Sequence, residues 1–457
     1  MKKLTKNNEI SRRQFLNSTA VAAAAFSFVS SKVLGLDGSN SANDRLNIAG
    51  IGIGGQGSHD LAQMESENIV ALCDVDWSYA GRIFNKYPNA KKWKDYRKML
   101  DEQKDIDAVV IATPDHHHAF AALEAMKRGK HVYCEKPLTH SVWEARQLTL
   151  AAQKYKVATQ MGNQGQASEA TRKLCEYILA DAIGPVREVH IWTDRPARGL
   201  FDVYWPQGIA RPKETPPVPK ELDWDLWLGP APERPYNPIY HPFRWRGWWD
   251  FGTGALGDIG CHAFDPVFRA LKLGSPIAVE ASSTLVNEET YPLGSMVTYY
   301  FPARQNMPEL KLVWYDGGLR PPRPQELEPG RVWGDNGKLL VGDKGKIIEG
   351  SGSFVLIPES KNKEFGEPPK VLPRSPGHYK EWILACKGGQ PAGSNFAWAG
   401  PLAETVLLGN IALRSQIREE MTRLRLEWDP VNLKIKNLDE ANKFIRRNYR
   451  PGWDLTI

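Results

Sequence analysis

From residue 46 onward, short unbroken apolar runs alternate with stretches whose apolar residues recur every three or four positions. The runs Leu46 to Ile53, Ile69 to Val75, Ala108 to Ala112, His131 to Cys134 and Ala158 to Met161 have strand length, and continuous apolarity predicts strands covered on both faces. Between them, Ser58 to Glu65, Tyr79 to Tyr87, Tyr96 to Leu100, His117 to Arg128 and Val142 to Tyr155 carry the helical period. This βαβ alternation predicts a parallel sheet between two layers of helices. Past about residue 165 the pattern changes. A helix, Glu169 to Ala180, and a strand, Val186 to Thr193, lead into a Pro- and Trp-rich stretch from Arg195 to Trp249. Strands at Ala278 to Leu285, Met296 to Phe301, Lys311 to Trp314, Lys338 to Val341 and Lys346 to Glu349 follow with few helices between them, predicting a largely antiparallel sheet. Helices Gly377 to Cys386 and Pro401 to Arg418, strand Leu424 to Trp428 and a polar tail come after.

A chain of 457 residues exceeds one compact core. Hydrophobic residues at 42%, charged residues at 25% and a mean hydropathy of -0.45 exclude a disordered chain and a multi-span membrane protein. The formal charge of +6 is concentrated at the start, where Lys2, Lys3, Lys6, Arg12, Arg13 and Lys32 face the single acid Glu9. The remainder is nearly neutral, so no general field attracts nucleic acid, and none is expected as a partner.

That basic start contains Ser11-Arg12-Arg13-Gln14-Phe15-Leu16, followed by an apolar run from Ala20 to Val29 broken only by Ser27. This is the pattern of a twin-arginine export signal. It predicts a signal segment over residues 1–36, a polar linker over 37–44, a periplasmic location and no stable membrane span once the signal is removed. Five cysteines without a C-x-x-C spacing predict buried free thiols. Among sixteen tryptophans, Trp192, Trp205, Trp224, Trp227, Trp245, Trp248 and Trp249 crowd one stretch. Two readings stay open for them: filling an irregular core or an oligomer interface, or packing on the C–H face of a sugar.

The first strand ends in Gly52-Ile53-Gly54-Gly55-Gln56-Gly57, a G-x-G-x-x-G turn between a strand and a helix. That context predicts a dinucleotide site: Gly52 for the tight turn, Gly54 and Gly55 with Gln56 for approach to a pyrophosphate, and Gly57 for close helix packing. Asp74, about 20 residues on, is placed to hold a ribose 2'-hydroxyl and to repel a 2'-phosphate, so NAD is expected over NADP. Two further strands run into Thr113-Pro114-Asp115-His116-His117-His118 and Glu135-Lys136-Pro137. Strand carboxyl ends line the ligand crevice of an open parallel sheet, so Thr113, Pro114, His116, His117, Glu135 and Lys136 are expected at the cofactor. Adjacent histidines diverge and have no acidic or Cys partner nearby, so no metal is expected. Asp258 and His262, four apart on one helix face, can point together into one cleft, where His262 suits proton transfer; read by themselves, they equally fit a capping Asp and a satisfied helical His.

In this combination and order, the motifs resemble the Gfo/Idh/MocA family of glucose-fructose oxidoreductase and inositol dehydrogenase, over roughly residues 45 to 430. The resemblance implies an NAD-binding Rossmann domain, 45–165, an α+β substrate and oligomerisation domain, 166–435, a tail, 436–457, and a homo-oligomer, dimer or tetramer. It also implies catalytic roles: Lys136 orients the hydroxyl and the nicotinamide ribose, Asp258 holds the substrate and His262 is the acid/base. Asn163, in the loop after Met161, is expected to reach a sugar hydroxyl. The activity implied is oxidation of a secondary hydroxyl of a sugar, glycoside or polyol, at a ring carbon such as C3. Two other readings are a redox-neutral glycosidase or lyase with retained NAD, and a sugar-binding protein without catalysis.

Overall fold

The structure, a computed structural model, describes residues 45–199, 202–350, 352–414 and 424–457. The export signal and linker expected before residue 45, and residues 415–418 of the expected helix Pro401 to Arg418, lie outside the described residues.

Six strands form the first sheet: β1 (Asn47–Ile51), β2 (Asn68–Cys73), β3 (Lys91–Trp93), β4 (Ala108–Ile111), β5 (His131–Glu135) and β6 (Thr159–Gly162). Their order is β3-β2-β1-β4-β5-β6, every pair parallel, which is the Rossmann arrangement. The intervening helices are α1 (Gln56–Ala62), α2 (Gly81–Lys86), α3 (Tyr96–Glu102), α4 (Asp115–Lys127) and α5 (Val142–Tyr155). β4 is buried at all four positions, as its apolar sequence requires. The edge strand β3 escapes the sequence pattern because Lys91 and Lys92 are exposed, charges that keep an open edge from pairing with other chains. α5 begins with a full capping box, Ser141 and Glu144 each satisfying the other's backbone.

The helices α6 (Glu169–Leu179), α7 (Trp224–Leu228) and α8 (Gly254–Leu271) come next in the chain, α6 followed by β7 (Val186–Trp192). Beyond them lie β8 (Ala278–Ser283), β9 (Ser295–Phe301), β10 (Leu310–Tyr315), β11 (Gly337–Gly342), β12 (Gly345–Gly350), β13 (Ser353–Ile357), α9 (Glu359–Phe365), α10 (His378–Cys386), α11 (Phe396–Leu413), β14 (Leu426–Asp429) and β15 (Lys434–Ile435). The nine strands order as β13-β12-β11-β7-β10-β9-β8-β14-β15, and only β7 with β10 is parallel.

The boundary expected at residue 165 divides the sheets but not the packing, since residues 46–457 form one compact unit. α11 is long and apolar enough to cross a membrane, yet it is a buried core helix between α5 of the first domain and α8 of the second. α10 returns to the first sheet, where Trp382 packs edge-on against Tyr133 at 5.7 Å. The polar tail expected over 436–457 is not free: Ala441, Ile445 and Leu455 are buried in the main core. The Trp-rich stretch folds into a small core of its own around Trp227, Tyr240, Trp248 and Phe251. Cys73, Cys134, Cys175 and Cys261 are buried and Cys386 half-buried, all as free thiols.

Candidate active site

The carboxyl ends of β1, β2, β4 and β5 open onto a cavity of about 510 Å³, closed on its other side by the Trp-rich stretch and α8. The Gly-rich turn has the geometry that glycine alone permits. Gly52 takes φ +76°, and a Cβ there would lie 2.7 Å from the Thr113 nitrogen. At Gly57 a Cβ would lie 2.3 Å from the Gly52 carbonyl oxygen, so this residue seats α1 on the turn rather than lining the cavity. Gly54 and Gly55 do line it, with Gln56, and the ring of Tyr79 lies over them: a Cβ on Gly54 would meet that ring at 2.1 Å.

Asp74 sits where the sequence places it, facing the cavity, and its carboxylate also holds the turn. Its Oδ2 accepts from Ile53 N at 2.9 Å and Gly54 N at 3.1 Å, and its Oδ1 from Asp76 N at 3.0 Å. The Gly54 N–H, expected at a pyrophosphate, is thus donated to Asp74. Burial raises the Asp74 carboxyl above its usual range, against the pull of these backbone donors. Asp76 is bound by His241 Nε2 at 2.8 Å.

Thr113 and Pro114 line the cavity, and the buried Thr113 hydroxyl has no hydrogen-bond partner. The three histidines after them diverge. His117 lines the cavity, its Nε2 2.8 Å from the Trp227 carbonyl. His116, expected at the cofactor, is buried behind it with its nitrogens 3.1 and 3.0 Å from the carbonyls of Phe251 and Trp227. It therefore ties α4 to the Trp-rich stretch. His118 joins the carbonyls of Pro137 and Thr113. Among the described residues no group of three His, Cys, Asp or Glu side chains could hold a metal ion.

Lys136 Nζ donates to Asp258 Oδ1 at 2.7 Å and to the Asp258 carbonyl at 2.9 Å. Arg246 Nε donates to the same Oδ1 at 3.0 Å. These two cations hold the Asp258 carboxyl well below its ordinary range despite its burial. Lys136 and Arg246 line the cavity, while Asp258 anchors them from behind. Glu135 accepts from Gln164 at 2.9 Å. Burial raises both Glu135 and its neighbour Asp60, and the charge on Asp60 raises Glu135 further.

His262 lines the cavity, with Nδ1 2.8 Å from Asn163 Oδ1. Asn163 is wholly buried, and its amide nitrogen donates to the Cys261 carbonyl at 3.2 Å. Asn163 does not line the cavity, so instead of meeting a substrate hydroxyl it positions His262. The cysteine carbonyl fixes which end of the amide is oxygen, so the His262 proton sits on Nδ1 and Nε2 carries the lone pair. Burial, with the Lys136 charge adding to it, lowers the His262 pKa to about 3, so the ring is neutral.

Sequence patterns miss Arg246, Asp115, Tyr79, His241, Gln164 and Trp453. Arg246 had one signal, an arginine twelve residues before Asp258 among tryptophans. Asp115, raised to about 7 by burial, accepts from Thr253 Oγ1 at 2.6 Å at the start of α8.

Residues 45–163 match the description "Oxidoreductase family, NAD-binding Rossmann fold", and residues 200–301 match "Oxidoreductase family, C-terminal alpha/beta domain", both of the Gfo/Idh/MocA group. Both stretches are thus similar to the Gfo/Idh/MocA oxidoreductases. Among curated proteins, inositol 2-dehydrogenase of Salmonella typhimurium is 30% identical over 146 residues, 31% of this chain and 43% of that one. The D-glucoside 3-dehydrogenase of Escherichia coli is 31% identical over 146 residues, 32% of this chain and 40% of that one. The chain thus spans well under half the length of these relatives. In the WlbA dehydrogenase from Bordetella pertussis, solved with NADH and UDP-GlcNAcA, the fold recurs with a TM-score of 0.57 at 15% identity, covering 84% of this chain and 98% of that one. Residues 45–163 match an NAD-binding Rossmann domain, and the chain's own glycine cradle, with the orphan Thr113 hydroxyl beside it, fits a dinucleotide.

Proposed function

We propose that this protein oxidises a secondary hydroxyl of a sugar, glycoside or polyol. NAD, when bound, accepts the hydride from the carbon that bears the hydroxyl. His262 Nε2 takes the hydroxyl proton, leaving a ketone. Lys136, with two of its three N–H groups held by Asp258, directs the third at the hydroxyl oxygen, and its charge supports the negative charge that grows there. Asp258 keeps that ammonium in place and holds Arg246 by the same carboxylate oxygen. The observation that carries this reading is an imidazole held at Nδ1 by Asn163, in one cavity with Lys136 and the Gly-rich turn. The dehydrogenase names of the relatives support a polyhydroxylated substrate.

The test is NAD reduction at saturating cofactor across a panel of glycosides and polyols. His262→Ala and Lys136→Ala should each lower kcat by roughly 100- to 10,000-fold while NAD still binds. Near-native kcat in either variant removes its assigned role. A substrate cleaved with no net reduction of NAD would instead establish the redox-neutral glycosidase.

Export by the twin-arginine route to the periplasm is part of the proposal and rests on Arg12-Arg13 before the apolar run. Replacing both with Lys should hold the protein in the cytoplasm, and export of that variant would refute the route. A dimer or tetramer, proposed from the family resemblance, should appear in light scattering as two or four times the chain mass.

A further inference from the structure

The strand order gives the cavity a direction. Lys136 leaves the end of β5 and Asp74 the end of β2. These strands are three spacings apart, about 14 Å. Beyond Asp74, on the side away from Lys136, the residues after β3, Lys94, Asp95 and Tyr96, line the cavity together with His117, Trp227 and Trp453. Trp453 belongs to the tail, outside both stretches that match the family.

We infer that residues 445–457 build the adenine end of the dinucleotide site, with Trp453 as the face on which the base packs. The chemistry of this end of the cavity suits such a group. Its walls are chiefly aromatic, with His117 kept neutral by burial and the opposite charges of Lys94 and Asp95 at its edge. A flat, uncharged π-system fits the aromatic faces. Asp74 marks the ribose position in a fold of this kind, so the base attached to that ribose falls next to Trp453.

The tail is tied down on both sides of this end of the cavity. Arg447 Nε donates to the buried Glu144 of α5 at 2.9 Å, and its Nη2 donates to the His116 carbonyl at 3.0 Å. Tyr449 also donates to Glu144, at 3.1 Å. Arg450 reaches the other wall, donating to the Gly229 carbonyl at 3.0 Å and to Asp225 Oδ1 at 2.7 Å. Between these anchors the Trp453 ring sits edge-on to His117 at 5.5 Å and to Phe120 at 5.7 Å, with the Arg97 guanidinium 4.4 Å from its centre. The ring is held before any ligand arrives, and the base leaves by this end only if the tail lifts.

The inference rests on NAD being the cofactor, and its test separates the two. NADH and reduced nicotinamide mononucleotide, which lacks the adenosine half, are titrated by fluorescence into the full chain and into Trp453→Ala and Trp453→Phe. Loss of one stacking face should weaken NADH about tenfold in Trp453→Ala, with a matching rise in its dissociation rate. The mononucleotide should bind that variant as it binds the parent, and Trp453→Phe should restore most of the NADH affinity. Unchanged NADH affinity in Trp453→Ala overturns the inference, as does an equal loss for both ligands, which would make the tail a general support. Failure of the unaltered chain to bind NADH would overturn the NAD assignment itself, and this inference with it.

Discussion

Whether a histidine accepts a proton from a substrate depends on which of its ring nitrogens is free, and in His262 a neighbour decides this. Asn163 is locked by the Cys261 carbonyl and accepts the Nδ1 proton, so the lone pair stays on Nε2. Asn163→Ala should therefore lower kcat with little change in KM, since the ring loses its fixed tautomer while the rest of the cavity stays. Asn163→Asp should do something different. A carboxylate at Nδ1 favours imidazolium and raises the His262 pKa from about 3 toward neutrality. The kcat profile should then fall on the acid side between pH 7 and 5, where the parent loses nothing through this group. A profile for Asn163→Asp that overlays the parent's would show that His262 does not exchange the reacting proton.

At the scale of elements, the Gly-rich turn and α1 meet with no room to spare. Gly57→Ala forces its methyl against the Gly52 carbonyl, and overpacking of this kind costs about 1–3 kcal/mol. A lower Tm together with weakened NAD binding is expected; an unchanged Tm would mean that the turn relaxes freely. The strands flanking this turn were readable in the sequence because a sheet covered on both faces needs unbroken apolar runs, as in Val109-Val110-Ile111. Asp258 and His262 were readable because helical spacing alone puts them on one face. The Trp-rich stretch was not, since it has no period. Its tryptophans chiefly fill a core of their own, with Trp224 stacked on Trp227 at 4.6 Å, and only some reach the cavity. Arg246 and Trp453 were equally hidden, because their neighbours are fixed by long-range packing that leaves no local pattern. Asn163 is hidden differently: its loop is short and polar, and nothing local marks its amide as buried inside the protein.

Across the whole molecule, burial of histidines sets the response to acid. His117, His118 and His378 are held at about 4 and His262 at about 3, against an ordinary 6.5. His116 and His140 are lower still than the ordinary value for the same reason. The unfolded chain takes up protons that the folded one refuses, so the stability these groups give is full above pH 6.5 and is lost as pH falls toward 4. Asp115 and Asp316, raised to about 7, Glu135, raised to about 8, and Asp60, raised to about 6, act in the opposite sense, their contribution being lost as pH rises. The histidines outnumber them, so Tm should drop between pH 7 and 5, and His378→Gln should flatten that drop. A Tm that stays level over this range would mean that the buried rings accept protons without unfolding.

The path of the chain back to its first sheet has a consequence for synthesis. The strands that carry Gly52 and Asp74 leave the ribosome early, while Trp382 and Trp453, which pack beside them, emerge only after the second sheet has been made. Domains generally fold as units from the N-terminal end during synthesis, but here the first sheet has to wait, part of its apolar surface bare, for residues near the other end of the sequence. A chain cut before Trp382 would keep an open pocket and an uncovered Tyr133.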